Sequence, residues 1–289
     1  MRFTAKRPYL FFLLPALILV FGISIFPMVY SIYMSFMNVT LVSGKAAEFV
    51  GLFNYFKIFK DPVFASSVRL SLIYSGITVT SEIVLGIGLG LLINSLTTGK
   101  RLLRTIVSIP MLTTPVIVGI TFKVMLLPEI GIVDYVLGGL FGIPSIPWLG
   151  DPVLALLTVA AVDIWQWTAF VALIVLASVQ GIPSDIYEAA LLDGSSVLRT
   201  LFRITLPLIK PALVIAALLR LMDTLKVFDH IYVMTKGGPV GGTDFISVFM
   251  YRIGFKYFHI SYASALSWVY LMIFSAVILA FFKIGRVKV

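Results

Sequence analysis

The chain has 289 residues, of which 60% are hydrophobic and only 12% charged, against about 25% charged in an ordinary globular domain. That composition excludes a soluble protein with one large core and points to an integral membrane protein. With no cysteine there is no disulfide and no thiolate metal site, and the net charge of +9 is scattered between apolar stretches rather than gathered into a nucleic-acid-binding face.

A membrane-crossing helix needs about 20 mostly apolar residues, and six segments meet that length. The first covers 8–36. No charged residue occurs from Pro8 to Gly44; this is far longer than the roughly 7–15-residue apolar core of a signal peptide, and no small-x-small cleavage site follows. It is expected to be a retained span, bent at Pro15 and Pro27. The outer segment after it, 38–68, contains FVGLFNYFKIF (49–59), an aromatic amphipathic stretch suited to the membrane interface. The second span covers 70–96 with Glu82 inside, and the third 105–127. The Gly- and Pro-rich segment 128–152 follows, with Trp148 expected as an interfacial anchor. The fourth span covers 153–179 with Asp163 inside. The fifth, 208–234, carries unusual charge, and the sixth covers 262–282. No tandem repeat is present.

Lysine and arginine set orientation, because cytoplasmic loops are enriched in them. Arg2, Lys6, Arg7, Lys100, Arg101, Arg104, Arg199, Arg203, Lys210, Lys283, Arg286 and Lys288 fall on one side. Lys45, Lys57, Lys60, Lys236, Arg252 and Lys256 fall on the other. Twelve against six places both termini and the 184–207 loop in the cytoplasm.

The longest polar interruption in the second half is EAALLDGSSVLRTLFRITLPLIKP, 188–211. Pro183 closes the preceding segment. Ser184 or Asp185 is expected to cap a helix, and with Asp185 as the cap Glu188 completes a capping box. Asp193-Gly194 stops that helix, since glycine accepts the left-handed conformation. Ser195 or Ser196 caps a second short helix through Phe202, and Pro207 and Pro211 are expected to restart the chain in a new direction. The result is a compact helix–turn–helix between two spans.

These residues resemble the coupling loop of ABC-importer membrane subunits: Glu188, Ala189, Ala190, Asp193, Gly194, Ile204, Leu206 and Pro207 stand at the family's spacings. The one departure is Ser195, where the family usually has alanine. The resemblance extends over most of the chain. QGIPSDIYEAALLDG from Gln180, KVFDHIYVMTKGGP from Lys226 and YRIGFKYFHISYASALSW from Tyr251 are similar to the carbohydrate-uptake branch. Gly237-Gly238-Pro239 followed by Thr243 resembles the first of its two paired permeases, the maltose and glycerol-phosphate type.

The resemblance implies an all-α integral membrane protein with six transmembrane helices, the type I ABC importer permease fold and a cytoplasmic coupling helix. It implies a first helix and outer loop over 1–67, an ABC transmembrane type-1 core over 68–283 and a cytoplasmic tail over 284–289. It also implies partners: a homologous second permease, an ATPase homodimer, an extracytoplasmic solute-binding protein and membrane lipid, with a sugar as substrate. The 184–207 loop would sit in a groove of the ATPase and transmit its motion in alternating access. The chain is expected to be a multi-pass protein of the cell inner membrane that binds no nucleic acid and holds no cofactor.

The residues agree that hydrolysis lies elsewhere. No Gly-x-x-x-x-Gly-Lys-Ser/Thr stretch exists, so ATP and Mg belong to the partner ATPase. His230 and His259 lack metal-ligand spacing and are read as packing or interfacial residues. Ionisable residues inside spans mark functional positions by default. Glu82 and Asp163 are such residues. Asp163, Gln166 and Trp167 carry the hydrogen-bonding and flat aromatic surfaces that a sugar needs; pairing of Asp163 with a basic residue of another helix is the structural alternative. Arg220, Asp223, Lys226 and Asp229 are spaced by three, a ladder of alternating charge on one helix. It reads either as self-neutralisation or as a wall of the translocation path.

Other readings are a permease for an anion such as glycerol 3-phosphate, favoured by Arg220 or Lys226, and a membrane-embedded enzyme. The enzyme would need catalytic acids or histidines clustered at a membrane edge, which the sequence does not supply. A secondary transporter would need inverted repeats and gives no reason for the 184–207 loop.

Overall fold

The computed structural model describes residues 9–40 and 47–285. Arg2, Lys6, Arg7, Lys45, Arg286 and Lys288, used above for orientation, lie outside these residues, as do Pro8 and most of the 284–289 tail.

The described chain is predominantly helical. Five helices are long and apolar enough to cross a membrane, and a bent pair makes up to six. α1 (Tyr9–Ser35) runs through Pro15 and Pro27 as one helix. β1 (Met37–Asn38) and β2 (Glu48–Phe49) form a small antiparallel ladder before α2 (Phe53–Lys60). α3 (Pro62–Ser95) follows, then α4 (Lys100–Leu112), α5 (Pro115–Met125), α6 (Ile132–Phe141), α7 (Pro152–Gln180), α8 (Ser184–Leu192) and α9 (Val197–Thr200). A π-helical turn, Leu201–Thr205, leads into α10 (Leu206–Leu225). α11 (Asp229–Thr235), α12 (Ile246–Tyr251), a second π-helical turn (Arg252–Lys256) and α13 (Ile260–Gly285) complete the chain.

Two expected spans are corrected. The third is not one helix: α4 and α5 meet at 93°. The break follows from Pro115, which lacks an N–H and drives Thr114 before it into an extended conformation. The fifth lies further toward the N-terminus than 208–234. Its helix runs from Val197 through the π turn to Leu225, and the chain breaks at 226–228 before α11. Pro207 and Pro211 therefore do not restart the chain. The π turn, in which the Leu206 N–H reaches back to the Leu201 carbonyl, widens the helix just ahead of Pro207 and absorbs its missing donor.

The described residues fall into two compact units. The first comprises those up to Pro62 together with Met250–Ile273. Here α2 is tied to the end of α1: the Asn54 amide donates to the Ser35 carbonyl at 2.9 Å and the Met37 carbonyl at 2.8 Å. Ile58 is fully buried, and Tyr262 of α13 donates to Asp61 at 2.9 Å.

The second comprises Val63–Phe249 and the residues from Phe274 on. Its core joins α3, α5, α7, α11 and α12 through Tyr74, Val118, Val159, Ile231 and Val248, with Phe245 just ahead of α12. A second cluster packs α7 on α10 through Val171, Val175 and Ile209. α3 meets α7 at a small-residue seam. A β-carbon on Gly86 would stand 2.5 Å from Val171, and one on Gly90 would stand 2.7 Å from the Ala172 carbonyl oxygen. Lipid tails are as apolar as leucine, so helices in a membrane are held by such close packing rather than by exclusion of water.

Trp148, expected as an interfacial anchor, is half-buried. It packs against the first core cluster, and its indole donates to Asp134 at 2.6 Å. Asp134 also accepts from the Ser145 hydroxyl at 2.6 Å and the Ile146 N–H at 3.2 Å. The carboxylate thus gathers the 128–152 loop, and these bonds, Ser145 first, hold it below its ordinary value of 3.8.

Candidate functional site

The 184–207 loop is built from two caps. α8 begins two residues earlier than the capping box requires. Pro183 is its N-cap with no side-chain bond, and Ser184 donates to Asp185 at 3.3 Å, so the box is not formed. Its other end behaves as expected. Gly194 adopts φ +68°, the Ser195 N–H bonds the Ala190 carbonyl at 2.9 Å, and the Gly194 N–H bonds that of Leu191 at 3.0 Å. This is the Schellman arrangement. Ser196 then caps α9, accepting from the Arg199 N–H at 3.4 Å.

Glu188, Ala189, Asp193, Gly194 and Pro207 are exposed, Ala190 is buried, and Ile204 and Leu206 are half-buried. Leu206 packs against the second core cluster. Around the turn, Leu191, Leu192, Val197, Leu198 and Phe202 are exposed, Leu192 to 90%. Five large apolar side chains uncovered around one turn mark an interaction surface. The face behind them closes a groove of about 350 Å³ lined by Leu91, Tyr187, Leu191 and Leu201.

The intramembrane charges come together at a second place. Arg220 of α10 is fully buried and forked on Glu82 of α3, with Nε at 2.7 Å from Oε2 and Nη2 at 2.9 Å from Oε1. Nη2 also lies 3.2 Å from Asp163 of α7. The Tyr74 hydroxyl donates to Asp163 at 2.9 Å and lies 3.3 Å from His230 Nε2. The guanidinium sits over the Trp167 ring, 4.7 Å from its centroid, in the range of a cation–π contact. One arginine therefore ties three helices. The expected ladder is only its outer edge. Asp223 lies 3.6 Å from Arg220 and 3.1 Å from Lys226, with its side chain 47% exposed. Asp229 falls beyond the helix break and opens α11.

A cavity of about 330 Å³ adjoins this cluster, lined by Asp163, Trp167, Arg220, Asp223, Lys226 and His230 among others. Of the six path candidates, five line it. Gln166 does not. It is fully buried and donates to the Thr113 carbonyl at 2.8 Å, at the break between α4 and α5. Sequence reasoning misses Tyr74 and reads His230 as a packing or interfacial residue only. Tyr74 does leave a signal: it lies eight residues before Glu82, on the same helical face. No cluster of three metal-ligating side chains occurs among the described residues.

The protein family described as "Binding-protein-dependent transport system inner membrane component" matches residues 82–287. The chain is 35% identical over 288 residues to the trehalose/maltose transport system permease protein MalF of Thermococcus litoralis, covering 98% of this chain and 95% of that one. It is 33% identical over 264 residues to the trehalose transport system permease protein SugA of Mycobacterium tuberculosis, covering 91% and 84%. Among solved structures it resembles a chain of a bacterial ABC transporter involved in the import of the acidic polysaccharide alginate. The TM-score is 0.84 at 25% identity, over 97% of this chain and 96% of that one. With a type I permease fold matched nearly end to end, the chain belongs to the family of binding-protein-dependent transport system inner membrane components, the permease subunits of ABC importers.

Proposed function

We propose that this permease carries a sugar, forms half of the translocation path, and docks an ATPase homodimer through Glu188, Ala189, Ala190, Asp193, Gly194, Ile204, Leu206 and Pro207. A homologous second permease forms the other half. An extracytoplasmic solute-binding protein delivers the sugar, and ATP with Mg is held and hydrolysed by the ATPase. Both termini and the 184–207 loop face the cytoplasm.

The cavity beside Trp167 carries the sugar reading. It offers a flat ring with carboxylates and a lysine around it, the two kinds of surface a carbohydrate uses. Relatives named for trehalose and maltose support the same class. An anionic solute is less well served. Arg220 is taken up by Glu82 and Asp163, and the lining has Asp163, Asp223 and Asp229 against Arg220 and Lys226.

Reconstitution of the two permeases with the ATPase and solute-binding protein in proteoliposomes tests this. ATP hydrolysis should rise with a disaccharide and not with glycerol 3-phosphate, and Trp167→Ala should reduce uptake while leaving the ATPase bound. Stimulation by glycerol 3-phosphate alone would overturn the sugar assignment.

A further inference from the structure

α2 presents an apolar face that no described residue covers. Leu52, Phe53, Phe56 and Phe59 are all exposed, as is Phe49 just before the helix. They occupy one arc of the helix, and Asn54 and Ile58 occupy the buried arc. Aromatic surface gathered this way is a surface that another phase or molecule covers.

The place of α2 says what covers it. α1 is apolar throughout, and every residue from Phe12 to Tyr30 is exposed, so its sides belong to lipid. The twenty-four residues Phe12–Ser35 span about 36 Å at 1.5 Å each, slightly more than the roughly 30 Å hydrocarbon core. Ser35 therefore lies at the boundary between hydrocarbon and headgroups. α2 is clamped to that end: Asn54 holds the Ser35 and Met37 carbonyls, Tyr55 and Ser35 share a hydrogen bond of 2.7 Å, and the Tyr55 and Phe36 rings are 5.7 Å apart. The exposed Phe arc thus continues the lipid-facing surface of α1 at headgroup depth. Lys57 lies over the Tyr262 ring at 4.9 Å. Lys60, in the last turn, is exposed and forms no ion pair among the described residues, so its ammonium can reach a phosphate.

We propose that α2 is an interfacial anchor. Phe53, Phe56 and Phe59 lie among the acyl chains of the outer leaflet, and Lys60 meets lipid phosphate. A solute-binding protein is the weaker occupant, because it comes and goes and would leave these rings in water between visits. The anchor does not depend on which solute is carried.

The chain has no cysteine, so single nitroxide labels can be placed cleanly. Phe56→Cys and Phe59→Cys would be labelled in the assembled transporter in phosphatidylcholine–phosphatidylglycerol nanodiscs, with the partner subunits made cysteine-free. Val240→Cys, at a residue 96% exposed, serves as the aqueous reference. Both positions carry exposed side chains, so neither change disturbs the buried arc. Collision with oxygen, which concentrates in the acyl region, relative to a water-soluble nickel chelate should be several-fold higher at 56 and 59 than at 240. A ratio equal to that at 240 would overturn the anchor. So would suppression of both collisions, which would mean a permanent partner subunit covers the face. Nickel collisions that are frequent in the transporter alone and vanish when the solute-binding protein is added would overturn it too, and would assign the face to docking.

Discussion

Arg220 carries the largest single burden in the membrane. A guanidinium buried among Glu82, Asp163 and Trp167 is tolerable only because its charge is met on several sides. Arg220→Met should lose about 3–5 kcal/mol, the usual effect of leaving a buried charge unpaired; adding Glu82→Gln should return part of it. Thermal unfolding midpoints of the detergent-solubilised variants measure this, and strictly additive losses would sink the pairing. Asp223→Ala removes a partner that is half in solvent and should cost only about 0–1 kcal/mol. Gln166→Leu should cost about 1–3 kcal/mol by orphaning the Thr113 carbonyl, and should leave uptake per folded molecule unchanged. The cost of intramembrane charge makes Glu82, Asp163 and Arg220 legible as special residues. Their pairing is not legible: Arg220 and Glu82 are 138 positions apart, and the i,i+3 ladder is the only partnership that sequence spacing offers.

At the scale of elements, the α3–α7 seam separates glycines by role. Gly90→Ala forces a methyl toward the Ala172 carbonyl and should cost about 1–3 kcal/mol, as overpacking does. Gly88→Ala, on the same helix with nothing within 4 Å, should be neutral or gain up to about 1 kcal/mol from helix propensity. Equal effects at 88 and 90 would remove the seam as the reason for glycine there. The 128–152 loop makes a pH prediction. Asp134 is held below its ordinary value by its hydrogen bonds, so its stabilisation is complete above about pH 4 and is lost as pH falls through the depressed value. Amide exchange over 129–148 should therefore rise only in acid below the normal carboxylate range. Asp134→Asn should raise it at neutral pH and flatten the acid response.

For the whole molecule, the prediction concerns transmission between loop and span. Leu192 is 90% exposed, so Leu192→Asp should leave the thermal midpoint unchanged while weakening co-purification of the ATPase. Gly194→Val should do the same and also loosen the turn, because a β-branched residue resists φ +68°. Normal ATPase recovery and full solute-stimulated hydrolysis in both variants would remove the coupling role from this loop. The proposed orientation is checked by impermeant thiol labelling of Lys60→Cys, Lys100→Cys and Lys236→Cys from the outside. Positions 60 and 236 should react and 100 should not.

Chain length and hydropathy by themselves determined that this is a multi-span helical membrane protein. Local chemistry determined the turn at Gly194, since a Schellman cap is written within six consecutive residues. The proline at 115 lay in plain view, but its consequence did not. A break costs backbone hydrogen bonds, and whether the helix bends by 93° depends on a donor from another helix, Gln166, satisfying the freed carbonyl. The end of α10 at Leu225 and the fold-back of α11 onto α5 were likewise decided in three dimensions, as were the threefold grip on Arg220 and the cavity beside Trp167. In a membrane, side-chain partners are chosen by which helix faces pack together. That choice joins residues more than a hundred positions apart, which no local pattern records.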